Sequence, residues 1–185
     1  MDTKKRILNE ALDIFALQGY EGLSMRSLAK NSGITPSVLY HHYQSKDSLL
    51  DELFKSINTE LGIRRANLKS LKTATSLLRQ RIEFQLNNSK EIIAVLKYFI
   101  YFRSKFKRNP NGFVPEKTSL HMEEVLKLGQ KTSEFRIDNL KKQAKVMTHS
   151  VNGFIIEYFP HKFAESEKKA LVNSLHTFII RSLRK

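Results

Sequence analysis

Apolar residues recur along nearly the whole chain at the spacing of an α-helix. Near the start, Ile7, Ala11 and Phe15 follow one another at intervals of four, which places them on one face of a helix. Glycine (7) and proline (4) are scarce in the 185 residues, whereas β-sandwiches and barrels need many turn residues. The pattern therefore predicts an all-α fold. A second long stripe is formed by Leu140, Ala144, Met147, Val151, Phe154 and Tyr158.

Capping residues divide this pattern into about nine helices. The first is expected to begin at Asp2 or Thr3 and to end at Gly19, because glycine tolerates the left-handed conformation of a helix end. Gly129 is expected to end a later helix, and Asp138 to cap the helix that runs on to about Tyr158. The other predicted helices run from Ser24 to Asn31, from Pro36 to Tyr43, from Ser45 to about Leu61, and over 73–88, 91–107, 117–129 and 165–183.

The segment over residues 23–47 has the pattern of a helix-turn-helix. Two short predicted helices are joined by a four-residue turn that contains Gly33. Thr35 is a capping hydroxyl and Pro36 follows at the first helical position, which is a strong start signal for the second helix. This second helix is the element that reads bases in such a motif.

Polar and small side chains near the start of that helix suit contacts to DNA. Ser37 is small enough to let the backbone approach base edges, and the rigid hydroxyl of Tyr40 suits a phosphate oxygen. His41 and His42 follow one turn on from Ser37. Lys46 opens the next helix, where its ammonium and the backbone N–H groups can hold a phosphate together.

A set of residues at fixed spacing extends this motif: Ala11, Phe15, Gly19, Tyr20, Leu23, Ser24, Leu28, Ala29, Ser32, Gly33, Ile34, Thr35, Leu39, Tyr40, His42, Tyr43, Lys46, Asp47 and Leu49. With these residues the chain resembles the tetracycline-repressor-like (TetR) family of transcriptional regulators over about residues 7–50. The resemblance implies a homodimer of nine-helix subunits, in which helices eight and nine pair with their copies as a four-helix bundle. It implies a helix-turn-helix DNA-binding domain over 1–46 and a helical ligand-binding and dimerisation domain over 47–185.

The resemblance also carries DNA contacts over to individual positions. One departure is Met25, because the family often has a threonine or serine there and methionine cannot donate a hydrogen bond to a phosphate. Leu28, Ala29, Leu39 and Tyr43 are instead expected in the core of the head. The expected DNA-binding residues are Ser24, Arg26, Thr35, Pro36, Ser37, Tyr40, His41, His42 and Lys46.

In this family a small molecule bound to the C-terminal domain commonly releases the DNA. The protein is therefore expected to be a repressor that binds an inverted-repeat operator and responds to an unknown effector. Arg81, Arg103 and His121 could meet a polar or anionic group of that effector, and the excess of positive charge also points to an anion. The apolar candidates for the pocket are Phe84, Phe99, Phe102, Met122 and Phe154, each of which also fits a simple core position.

The charge distribution limits what the net charge of +14 implies. Residues 1–48 carry six basic and five acidic side chains, so the head nets only +1, and +13 lies in residues 49–185. DNA binding is therefore inferred from the motif and not from the overall charge. The basic and aromatic run over 97–108 could bind a membrane or single strands, or could be a core helix with a solvated basic face.

Several classes of protein are excluded or left as alternatives. The absence of cysteine excludes disulfides, thiolate metal sites and a cysteine nucleophile. No P-loop, GxGxxG or GxSxG motif occurs, so neither an enzyme nor a cofactor or metal is expected. No segment reaches the roughly 18 apolar residues of a membrane span, and the N-terminus does not resemble a signal peptide, so a cytoplasmic protein is expected. A non-specific architectural DNA-binding protein, an interaction scaffold and a membrane-surface protein remain as alternatives.

Overall fold

The computed structural model describes residues 2–106, 115–159, 161 and 164–184, apart from the side chains of 103–118 and Tyr158. The end of the predicted helix over 91–107 and the side chain of Arg103 lie outside this part. Within it the chain forms nine helices and no strand, which confirms the all-α prediction. They are α1 (Thr3–Gly22), α2 (Met25–Asn31), α3 (Pro36–His42), α4 (Lys46–Ala66), α5 (Ala74–Asn87), α6 (Ser89–Phe106), α7 (Pro115–Lys131), α8 (Leu140–Tyr158) and α9 (Glu165–Leu183).

The chain divides into two compact units. The first comprises Met1–Ala66 and Lys90–Gly112, and the second comprises Asn67–Ser89 and Phe113–Lys185. Helix α4, which the predicted division places after the head, therefore lies in the same compact unit as α1 to α3. The functional division at residue 46 remains a prediction.

The first unit is organised around the apolar stripe of α1. Helix α1 packs against α2 and α4, and α2 packs against α3. Ile7, Ala11 and Phe15 are buried, as their spacing predicts. The residues expected in the core of the head, Leu28, Ala29, Leu39 and Tyr43, are all buried.

Side-chain caps begin the helices of this unit where the sequence predicts them. The hydroxyl of Ser24 accepts from the Ser27 amide at 3.5 Å, and that of Thr35 accepts from the Val38 amide at 3.3 Å. Gly19 has a φ of +69°, as expected, but it kinks α1 and does not end it. The prediction of an end at Gly19 was wrong, because one more turn forms after the kink and closes with a bond from the Leu23 amide to the Tyr20 carbonyl at 3.2 Å.

The second unit packs α5 against α7, α8 and α9, and α7 against α8. Two predicted boundaries were wrong there. Helix α7 runs past Gly129 to Lys131, and the missing side chain of Gly129 leaves room for the ring of Phe135. The cap of α8 is Asn139 and not Asp138, since the Asn139 side chain accepts from the Lys142 amide at 3.0 Å.

Candidate nucleic-acid interface

The turn between α2 and α3 sets the geometry of the helix-turn-helix. Gly33 has a φ of +63°, a conformation that residues with a side chain rarely adopt. Backbone bonds from Gly33 to the Lys30 carbonyl and from Ile34 to the Ala29 carbonyl, both 3.0 Å, close the turn. Ser32, which precedes Gly33, is buried. Together these contacts fix the direction in which α3 leaves α2.

Helix α3 turns one face to the core and leaves the opposite face exposed. Leu39 is fully buried and anchors the helix, whereas Tyr40 is 51% exposed. The exposed ridge has the hydrogen-bonding groups that base edges and phosphates need. All the expected DNA-binding residues before Lys46 are exposed: Ser24, Arg26, Thr35, Pro36, Ser37, Tyr40, His41 and His42.

Met25, the departure from the family pattern, is only 8% exposed and belongs to the core. Its neighbours supply polar groups in its place, because Ser24 and Arg26 on either side of it are exposed. The Ser24 hydroxyl already accepts from the Ser27 amide, but a hydroxyl can still donate its own hydrogen. Ser24 therefore keeps the capacity to bind a phosphate oxygen while it caps α2.

The start of α4 is ordered by reciprocal hydrogen bonds. The Ser45 hydroxyl accepts from the Ser48 amide, and the Ser48 hydroxyl accepts from the Ser45 amide, both at 3.1 Å. The first hydrogen bond within α4 runs from the Leu49 amide to the Ser45 carbonyl at 3.1 Å. The amides of Lys46 and Asp47 come before it and therefore have no acceptor within the helix. The predicted cap at Ser45 is confirmed.

Tyr20 is a residue of this site whose role does not follow from the sequence. The Lys46 ammonium lies 3.8 Å from the centroid of the Tyr20 ring. The Tyr20 hydroxyl donates to the Asp47 carboxylate at 2.8 Å. Tyr20 belongs to the family pattern, and that was the available signal, but a pattern position alone does not reveal a partner 26 residues away.

Comparison with known proteins agrees with this geometry. The family model for bacterial regulatory proteins of the tetR family matches residues 7–53, which contain the whole helix-turn-helix. Over these residues the chain is similar to the tetR family. Over 51 residues, which cover 28% of this chain and 26% of UidR, the chain is 41% identical to the HTH-type transcriptional regulator UidR of Escherichia coli K12.

Two further proteins are similar to this chain. IcaR of Staphylococcus aureus Newman, a negative transcriptional regulator of the biofilm operon icaADBC, is 33% identical over 52 residues, which cover 28% of each protein. The matched segments thus span about a quarter of these relatives. The ketosteroid transcriptional regulator KstR2 of Mycobacterium tuberculosis has a TM-score of 0.79 at 17% identity, covering 100% of this chain and 96% of KstR2. At that identity the likeness shows the fold. The matching family consists of regulatory proteins, in agreement with the expectation of a regulator and not an enzyme.

The predicted pocket residues fall into both compact units. Phe84 and Met122 are buried and Phe154 is half-buried in the second unit. Phe102 is buried and Phe99 is half-buried in the first unit. A common pocket for these five residues remains a prediction.

The basic and aromatic run is a packed helix over its described part. Tyr98 is buried and stacks on Phe54 with ring centroids 4.1 Å apart. The Lys97 ammonium donates to the carbonyls of Ala16 and Leu17 at 2.6 and 2.9 Å. These contacts favour the core-helix interpretation of the run. Among the helices that the structure describes, none has the length and apolar character needed to cross a bilayer.

Proposed function

We propose that this chain is a dimeric, sequence-specific DNA-binding regulator of transcription that represses its target genes and is released from its operator by a small molecule. The observation that carries the proposal is the row of exposed polar side chains on α3, which follows the turn at Gly33. As part of the bacterial transcription machinery, such a protein acts in the cytoplasm. The name of IcaR, a negative regulator, supports repression.

On DNA, helix α3 enters the major groove with its N-terminal half. Ser37 and His41 then contact base edges, whereas Tyr40 and Lys46 contact phosphates. Residues 1–48 of each copy have a net charge of only +1, so affinity comes from two heads on one duplex and from backbone amides as well as from charge.

Exposed apolar side chains on the last two helices support a homodimer. Phe178 on α9 is 63% exposed, and Val146 and Ile156 on α8 are exposed as well. A four-helix bundle formed with the α8 and α9 of a second copy would bury all three. Phe178→Ser is expected to convert the dimer to a monomer in light scattering, whereas Ile63→Ser, at an exposed apolar site on α4, leaves the dimer intact. A dimer that survives Phe178→Ser contradicts this interface.

Release by the effector requires different affinities of the effector for two head spacings. A dimer on an inverted repeat holds its heads about 34–36 Å apart. An effector that binds better to another spacing weakens operator binding, and by linkage the operator weakens effector binding to the same degree.

The surroundings of Arg81 on α5 support an effector with a carboxylate. The Arg81 side chain is only 14% exposed, and its Nη2 donates to Glu124 at 2.9 Å. Its Nε and Nη1 are buried and have no hydrogen-bond partner among the described residues. These two atoms carry three of the five guanidinium N–H donors, and leaving buried donors unpaired is costly. An acceptor on a ligand would remove this cost.

Thermal shift with a panel of aliphatic and aromatic carboxylates tests the effector class, with their methyl esters as matched controls. An acid that raises the melting temperature of the wild type, but not of Arg81→Met, supports it. Equal shifts by an acid and its ester would refute the carboxylate.

Selection of bound duplexes from a random pool, at fixed salt, tests the proposed function. We expect an inverted repeat. Binding without a motif would favour the architectural alternative, and absence of binding to any duplex would refute DNA recognition. Combining Tyr40→Phe with Lys46→Ala should weaken binding to all sequences, whereas Ser37→Ala or His41→Ala should change the preferred bases.

A further inference from the structure

The end of α1 and the start of α4 meet at an aromatic ring. The Lys46 ammonium lies 3.8 Å from the centroid of the Tyr20 ring, within the range of a cation–π interaction. Lys46 is the first residue of α4 and is half-buried, in contrast to the exposed residues of α3. Its ammonium is thus already held in one place by the protein.

The Tyr20 ring is itself held by contacts on two other elements. Its hydroxyl donates to the carboxylate of Asp47 on α4 at 2.8 Å. The ring of Tyr101 on α6 stacks on it, with centroids 3.8 Å apart and planes 13° from parallel. Burial, together with hydrogen bonds to Tyr101 and Asp47, raises the pKa of Tyr20 above its usual range, so the ring remains a neutral phenol. A neutral ring presents the negative face that attracts a cation.

We infer that Tyr20 is a positioning residue that holds the ammonium of Lys46 ready to bind a DNA phosphate. This inference rests on the proposed function, since it assigns a second residue to the phosphate contact of Lys46. An ammonium has three N–H donors, so its outer side can still donate to a phosphate oxygen while its inner side faces the ring. A lysine that is already ordered loses less rotamer entropy on binding than a mobile one does.

A double-mutant cycle in the full-length protein tests the inference. The variants are Tyr20→Leu, Lys46→Met and their combination, with Tyr20→Phe to restore the ring and Lys55→Met to remove an exposed lysine further along α4. Fluorescence anisotropy measures the affinity for a labelled random-sequence duplex of about 30 base pairs, between roughly 50 and 200 mM salt. A random duplex suffices because a phosphate contact does not depend on sequence.

Lys46→Met should lower the salt slope by about 1 for each head, which is about 2 for the proposed dimer, and Lys55→Met should leave it unchanged. Tyr20→Leu should weaken binding by about two- to five-fold for each head, which is the size of a cation–π interaction at a partly exposed site. When Lys46→Met is already present, Tyr20→Leu should cause no further loss of affinity. Tyr20→Phe should bind almost as well as the wild type, since the ring is kept.

If Tyr20→Leu lowers the affinity equally in the presence and in the absence of Lys46, the inference is overturned. Tyr20 would then only stabilise the fold. If the wild type binds and Lys46→Met changes neither affinity nor slope, the inference fails while the proposed function stands. If the wild type binds no duplex, both fail.

A measurement on the folded wild type keeps the inference testable even if Tyr20→Leu does not fold. In the NMR spectrum, the ring current of Tyr20 should move the Hε resonances of Lys46 upfield of those of the other lysines. Lys46→Met identifies these resonances by their loss. Hε resonances of Lys46 at the usual lysine position would overturn the inference.

Discussion

Glu134, in the connector between α7 and α8, ties the start of α5 to the rest of the second unit. Its carboxylate accepts from the amides of Ala74 and Thr75 at 2.8 and 3.0 Å, and from the hydroxyls of Thr75 and Thr132 at 2.8 and 2.7 Å. Glu134→Gln removes the charge and replaces one acceptor oxygen by an amide group that faces these donors. We expect this change to destabilise the protein.

The pKa of Glu134 sets the scale of the effect. Burial alone would raise this pKa, but the hydrogen bonds outweigh burial and hold it at about 2, against an ordinary value of 4.5. The shift corresponds to at most about 3 kcal/mol, and solvent screening at this partly exposed carboxylate reduces it to about 1–2 kcal/mol. Because the pKa is lowered by folding, this stabilisation is complete above pH 4.5 and is lost as the pH falls toward 2.

Thermal unfolding followed by circular dichroism between pH 7 and acid measures this effect. At pH 7, Glu134→Gln should lower the melting temperature by about 2–8 °C. The difference should shrink as the pH falls below 4.5, because only the wild type loses stabilisation from Glu134 there. Glu157→Gln, at an exposed glutamate on α8, is the control and should change little. A difference between wild type and Glu134→Gln that stays constant over the whole pH range would refute the reasoning.

Three further changes probe single contacts. Gly129→Ala would place a methyl group against the ring of Phe135 and should lower the free energy of unfolding in urea by about 1–3 kcal/mol. A decrease smaller than the error of the measurement would show that the ring moves aside freely. Lys97→Met removes the ammonium from the carbonyls of Ala16 and Leu17 and should speed amide exchange in the last turns of α1; unchanged exchange would contradict a capping role. The added methyl group of Gly33→Ala would meet no atom within 4 Å, but alanine would have to adopt a φ of +63°. This substitution should therefore lower the free energy of unfolding by about 1 kcal/mol in the same urea assay. An increase in the free energy of unfolding would contradict backbone strain at this position.

Most helix boundaries in this protein could be predicted because their signals are local. The hydroxyls of Ser24, Thr35 and Ser45 cap their helices. Each accepts a hydrogen bond from the backbone amide three residues further along the chain. Such bonds depend on neighbouring residues alone, so the residue type and its position are sufficient. The same holds for Gly33, whose positive φ a four-residue turn requires.

The two wrong boundaries at glycines have a common cause. Gly129 is a plausible helix end when only its neighbours are considered, but its lack of a side chain serves the ring of Phe135. At Gly19 the chain does turn into the left-handed region, yet a further turn of helix follows. A glycine signals an unusual local requirement without showing whether that requirement is a turn or a close approach.

The DNA-facing residues of the candidate site could be predicted from the sequence, but the contacts that hold them in place could not. The DNA-facing residues of α3 follow from a short motif in which helical spacing decides which side chains are exposed. The Tyr20 contact to Asp47 joins residues 27 apart, and the Glu134 contact to Ala74 joins residues 60 apart. No local rule predicts such pairs.

The all-α class, the caps and the exposed ridge of the helix-turn-helix are thus properties of the amino-acid sequence, because hydrogen bonds and side-chain periodicity within a helix involve residues three or four positions apart. The support of Lys46 by Tyr20 and the capping of α5 by Glu134 are properties of the tertiary structure. They arise because packing of apolar faces brings distant segments together, and only then do a ring and an ammonium, or a carboxylate and a helix start, come within reach of each other.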